Sequence, residues 1–195
     1  MNQELKNQWI ATMQAHQDAD RLVQGTWWSP ETFTGCFFGC AMQTHESAVE
    51  KAAIAMHLPS WLLHYAEILF EDLPEKEALA FPVEMLKAIP VDSTFTNLLK
   101  TLIISSLTSL VAPEDEEVLQ LVIDCMEFPT EENVSKAEAI LADAPSDFDQ
   151  LALRLVRDLS LDSLLDLHTC QVWAHELSSI DTKDRFLELL AEAKV

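Results

Sequence analysis

Apolar residues recur at helical spacing along nearly the whole chain, and eight prolines cut that rhythm into separate lengths. Only three of the 195 residues are glycine and only one is tyrosine. All-β domains need turn glycines and β-branched or aromatic runs, so this chain is poorly equipped to build one. Residues 3–23 carry Trp9, Ile10, Met13 and Leu22 on one helical face, and Gly25 supplies a stop. Ser47 and Glu50 have capping-box spacing, which predicts a helix that ends before Pro59. Pro59-Ser60 opens the next, with Trp61, Leu62, Tyr65, Ile68 and Leu69 on its apolar face, and Pro74 closes it. A short helix over 75–81 and another restarting at Phe81-Pro82 follow, closed by Pro90.

Asp92 or Ser93 is the expected cap of a helix over 94–111, and acids after Pro113 favour a helix to about Phe128. Further helices are predicted over 131–142, 148–159 and 162–177, with a last one from Asp181 or Thr182 to about Ala193. The count is nine or ten helices and no strand. The expected fold is all-α, a compact bundle or a helical-repeat-like array, with an irregular Gly/Cys/aromatic segment near residues 25–45. One domain over 1–195 is the simplest organisation. A subdivision into 1–112 and an acidic 113–195 is the variant, because 20 of the 33 acidic residues follow residue 100.

The formal charge is −21, from 33 acidic and 12 basic residues. Such a surface repels phosphate backbones and anionic lipid, so direct nucleic-acid binding and membrane binding are not expected. The most apolar run, 98–112, holds a lysine and five Ser/Thr residues and is too short to span a bilayer. The N-terminal residues lack the apolar core of a signal peptide. A cytoplasmic location with reduced thiols at Cys36, Cys40, Cys125 and Cys170 is therefore expected.

Gly35-Cys36-Phe37-Phe38-Gly39-Cys40, then Pro59-Ser60-Trp61-Leu62, Phe70-Glu71-Asp72-Leu73-Pro74 and Ala88-Ile89-Pro90 form a recognisable series over residues 25–100. It resembles a family of uncharacterised bacterial proteins with G-C-x-x-G-C, P-x-W-L, F-E-x-L-P and A-I-P segments. That family carries no established activity, so the resemblance implies placement rather than chemistry. Val91-Asp92-Ser93 stands where the family has a Gly-Ala-Asp type of turn.

Cys36, Cys40 and His45 offer three soft donors within ten residues, a weak candidate metal set with His57 or His64 as a fourth ligand. The plain alternative is that both thiols pack as small apolar groups while Gly35 and Gly39 admit a close neighbour. The spacing matches neither a common zinc pattern nor a thiol-disulfide pair. A cysteine nucleophile with His45 and Glu46 is equally unspecific. His64, Glu67 and Glu71 share a helical face, where a solvated stripe is the usual outcome. His168 and His175 stand two turns apart, too far for one ion. Trp27, Trp28, Phe37 and Phe38 form an aromatic group that either lines a pocket or anchors the irregular segment.

No constellation has the spacing that catalysis requires. The expected function is a noncatalytic protein-interaction module, with acidic surface steering a basic or nucleic-acid-binding protein partner. A metal- or small-ligand-binding protein or enzyme using the Cys36/Cys40/His45 segment is the alternative, and a helical scaffold that self-associates as a homo-oligomer is a third. No cofactor is predicted, and a metal only at Cys36, Cys40 and His45. Site candidates are Gly35, Cys36, Gly39, Cys40, His45, Trp61, Glu67 and Glu71.

Overall fold

The computed structural model describes residues 1–93, 95, 97–110, 116–128, 130–141, 152–153, 156 and 183–193. They form an all-α protein with nine helices and no strand among the described residues. The helices are α1 Gln3–Asp18, α2 Phe37–Met42, α3 Ala48–Met56, α4 Ser60–Asp72 and α5 Glu75–Ala88. They continue with α6 Leu98–Leu110, α7 Glu116–Glu127, α8 Glu131–Leu141 and α9 Lys183–Glu192. No helix among the described residues is long and apolar enough to cross a membrane. Of the helix expected over 148–159 only Ala152, Leu153 and Val156 are described, and these are helical and buried. The helix expected over 162–177, the caps Asp181 and Thr182, and Cys170, His168 and His175 lie outside the described residues.

Contacts divide the chain into two compact units. One is Met1–Leu99 with Ala174–Val195, and the other is Lys100–Trp173. The division falls just inside α6. In the second unit α7 packs against α8, burying Val122, Cys125 and Met126 on one side and Val134, Ala137 and Leu141 on the other. Thr130 caps α8 as expected, its Oγ1 accepting the Asn133 N–H at 3.2 Å.

The first unit centres on α4 and α5. α5 packs against α1, α4 and α9. Phe81 of α5 and Phe186 of α9 are fully buried. Phe186 sits 5.0 Å, ring to ring, from Tyr65 of α4 and 6.1 Å from Phe81, so three helices meet at one aromatic cluster. Lys183 at the start of α9 lies 2.9 Å from Glu84 and 3.8 Å from Glu77, which are seven residues apart on one face of α5. Lys6 of α1 reaches the other end of α5 and donates to the Lys87 and Ile89 carbonyls at 2.8 and 2.6 Å. A cation there satisfies orphan carbonyls and complements the negative helix end.

Several local expectations give way to packing. Residues 75–88 form one helix with Pro82 inside it, not two. Proline costs a hydrogen bond in a helix interior, but Pro82 is buried between Phe81 and Val83, and the apolar face on both sides of it is held by neighbouring helices. The Ser47–Glu50 capping box does not form. Ser47 takes a left-handed conformation (φ 50°) with no capping bond, and the Glu50 carboxylate instead meets His64 Nε2 at 3.3 Å. α1 ends at Asp18, before the Gly25 stop, because Asp20 itself turns left-handed (φ 51°). α6 begins at Leu98 rather than at 94, after left-handed Asp92 and Phe95, with Phe95 buried. α3 stops as expected before Pro59: left-handed His57 closes it, and the Leu58 N–H donates to Ala53 O at 3.1 Å.

Candidate functional site

The irregular segment is real, and it runs from residue 19 to 36, with a helical turn and a half, α2, at its end. It is folded back on itself by backbone hydrogen bonds. Val23 N–H donates to Gly35 O at 2.9 Å and Gly35 N–H to Arg21 O at 3.0 Å. Cys36 N–H donates to Thr26 O at 2.6 Å, and Ser29 N–H to Thr34 O at 2.7 Å. The loop is also fastened to α4. The Gln24 side-chain amide reaches the Phe70, Glu71 and Leu73 carbonyls at 2.7, 3.1 and 2.8 Å. These belong to the C-terminal turn of α4, whose carbonyls have no partner within the helix. Next to it, the Gly25 N–H donates to Glu71 Oε2 at 2.6 Å.

Gly35 and Gly39 are required by close approach. The Trp27 carbonyl oxygen lies where a Cβ would stand at either position, so only a bare Cα admits that strand of backbone. Phe37 and Phe38 enter the core fully buried, with stacked rings 4.1 Å apart. The two tryptophans do not follow them as a single aromatic group. Trp27 is 51 % exposed, and Trp28 packs edge-on to Phe33 at 6.3 Å.

Beneath this loop one Cys36 Sγ, one Glu67 carboxylate oxygen and one Glu71 carboxylate oxygen lie within 4.8 Å of one another. Cys36 is the residue just before α2. Glu67 and Glu71 stand four apart on α4 and therefore share a face. Glu67 is only 6 % exposed, and its Oε2 has no hydrogen-bond partner. Burial is the main cause that pushes its carboxyl up to about 7; the Cys36 thiol and the Phe38 N–H counteract it, and neighbouring Glu71 adds to it. Burial also raises Glu71, against the Gly25 N–H. The Cys36 thiol is driven well above its ordinary value, first by burial and then by the Glu67 charge. Its Sγ also lies 3.5 Å from the Trp27 carbonyl oxygen. Burial and the neighbouring carboxylate thus both disfavour the thiolate, the form that a cysteine nucleophile needs.

The structure therefore joins three of the expected site residues, Cys36, Glu67 and Glu71, but not the set Cys36, Cys40 and His45. Cys40 stands outside this group: its buried Sγ lies 3.3 Å from both the Arg21 and Gly35 carbonyls, and burial pushes it up to about 11. His45 is exposed in the turn between α2 and α3. Trp61 is buried in the first turn of α4 and serves the core. The solvated-stripe expectation for His64, Glu67 and Glu71 fails at Glu67, which α2 and the loop cover; His64 belongs instead with Glu50. Three participants were not visible as candidates: Gln24, Gly25 and the Trp27 carbonyl. Two of them act through the main chain, which leaves no side-chain signature. No protein-family model, no curated protein and no solved structure matches the chain, so its site is defined by its own geometry.

Proposed function

We propose that this chain is a noncatalytic protein-interaction module that presents the 19–36 loop to a basic segment of a protein partner. The observation that carries this reading is the exposure of Val23, Trp27 and Phe33 at 40, 51 and 54 % on a loop that is itself locked. Half of the six exposed large apolar side chains among the described residues fall within these eleven positions. Tryptophan and other aromatics are the usual anchors of binding energy at interfaces. A loop already fixed by backbone hydrogen bonds and by Gln24 loses little further freedom on binding. The charge of −21 selects the sign of the partner and speeds its approach.

The test is quantitative cross-linking in the native host with the full chain and with a Trp27→Ser/Phe33→Ser variant. Both side chains are about half exposed, so the variant keeps its fold. The expected result is one basic partner whose recovery falls on the order of tenfold or more in the variant, as loss of an aromatic anchor implies. Added salt should weaken its capture further. Unchanged recovery of the same proteins by the variant refutes the reading.

A further inference from the structure

We infer that Cys36, Glu67 and Glu71 form a binding site for one divalent cation of the zinc class. Their three donor atoms already lie within 4.8 Å of one another. A tetrahedral site with bonds of about 2.0–2.3 Å needs edges of roughly 3.5 Å, so the widest edge closes by at most about 1.3 Å. The two glutamates sit on one rigid helix and Cys36 on the neighbouring element, so this closure needs only side-chain rotation.

The second observation is the buried Glu67 carboxylate, whose Oε2 has no partner. Buried charges are ordinarily paired with an opposite charge or bound to a metal. The groups that act on Glu67 are a thiol, a second carboxylate and one backbone N–H, and none is cationic. A divalent ion supplies the missing positive charge. Donor chemistry narrows the class: one sulfur and two oxygens suit zinc or cobalt, whereas calcium and magnesium take all-oxygen shells of six or more. The outer support is in place too. The Gly25 N–H fixes Glu71 through Oε2, and the Phe38 N–H braces the Glu67 carboxyl. On binding, the Cys36 proton leaves to solvent and the thiolate sulfur bonds the metal. The fourth position falls to water or to the Trp27 carbonyl oxygen, which stands 3.5 Å from Sγ. Cys40 and His45 take no part, and the site is independent of any partner at the aromatic loop.

The experiment uses the full chain, reduced and stripped with chelator, and zinc or cobalt ions alone as probes. Native mass spectrometry should show one ion per chain, and cobalt should give a thiolate-to-metal charge-transfer band. Cys36→Ser should abolish that band. Glu67→Gln and Glu71→Gln should each weaken zinc by more than the roughly 10–100-fold typical of an outer-shell loss. Cys40→Ser and His45→Ala should bind as the parent chain does. Circular dichroism checks each fold; should Cys36→Ser not fold, the two glutamine variants and the parent cobalt spectrum decide. The inference is overturned if the folded parent takes up no ion. It is also overturned if cobalt shows no charge-transfer band, or if zinc binding survives Glu67→Gln unchanged, which would mark an adventitious ion.

Discussion

Replacing Glu67 by glutamine keeps the shape of a buried side chain and removes its ionisation, which makes the cost of that buried charge measurable. The carboxyl titrates near 7 in the folded chain against an ordinary value of 4.5. Between those values the folded chain holds a proton that the unfolded chain has released. Stability therefore falls as pH rises from about 4.5 to about 7, and this contribution is flat above that. A difference of roughly 2.5 corresponds to about 3 kcal/mol, at about 1.4 kcal/mol per pH unit. The glutamine variant escapes this loss. It should be the more stable chain at pH 8, and its advantage over the parent should grow by about 2–3 kcal/mol between pH 5 and pH 8. The assay is urea unfolding followed by tryptophan fluorescence, with chelator and reductant present so that no cation masks the charge. Four of the five tryptophans, Trp9, Trp27, Trp28 and Trp61, lie in the unit that contains Glu67, so the signal reports on it. A gap between variant and parent that stays constant or narrows from pH 5 to pH 8 would refute the account of Glu67 as a buried, uncompensated carboxylate. Added zinc should reverse the order of the two chains if the ion occupies the cluster.

Phe186→Ala tests whether α9 completes the first unit. Phe186 is fully buried between Tyr65 and Phe81, so its truncation should cost about 3–5 kcal/mol and lower Tm by roughly 6–20 °C; a loss under about 1 kcal/mol in calorimetry would place α9 outside that core. Gly39→Ala should destabilise by about 3 kcal/mol, at the upper end of overpacking costs, because its Cβ would overlap a backbone carbonyl rather than a flexible side chain. Gly25→Ala has open space around it and only a positive φ of 74° against it, so about 1 kcal/mol is expected there. Equal urea midpoints for the two variants would remove the close-approach role of Gly39.

How much was legible in the sequence follows from the range of the interactions involved. The Pro59 and Pro74 boundaries, the Thr130 cap and the all-α class were readable, because each depends on residues within one helical turn. The irregular stretch near 25–45 was readable from its glycines and Ser-Pro pair, although Phe37–Met42 within it form the helix α2. Ser47 shows the limit of such reading. A capping box is a local preference worth about 1 kcal/mol, and the left-handed turn together with the Glu50–His64 contact outweighs it. Pro82 is a similar case: a helix breaker by local rule, carried inside α5 by the burial of its neighbours.

By itself the sequence determined that the chain is helical and acidic, where most of its helices lie, and that the region around Cys36 is unlike the rest. These are consequences of backbone hydrogen bonding, side-chain period and composition, all of which act along the chain. Only the tertiary structure decided that Cys36 groups with Glu67 and Glu71 rather than with Cys40 and His45, and that Phe186 meets Phe81 across 105 positions. Burial and charge pairing depend on which faces meet. Those meetings are set by the packing of whole helices, which no local spacing records.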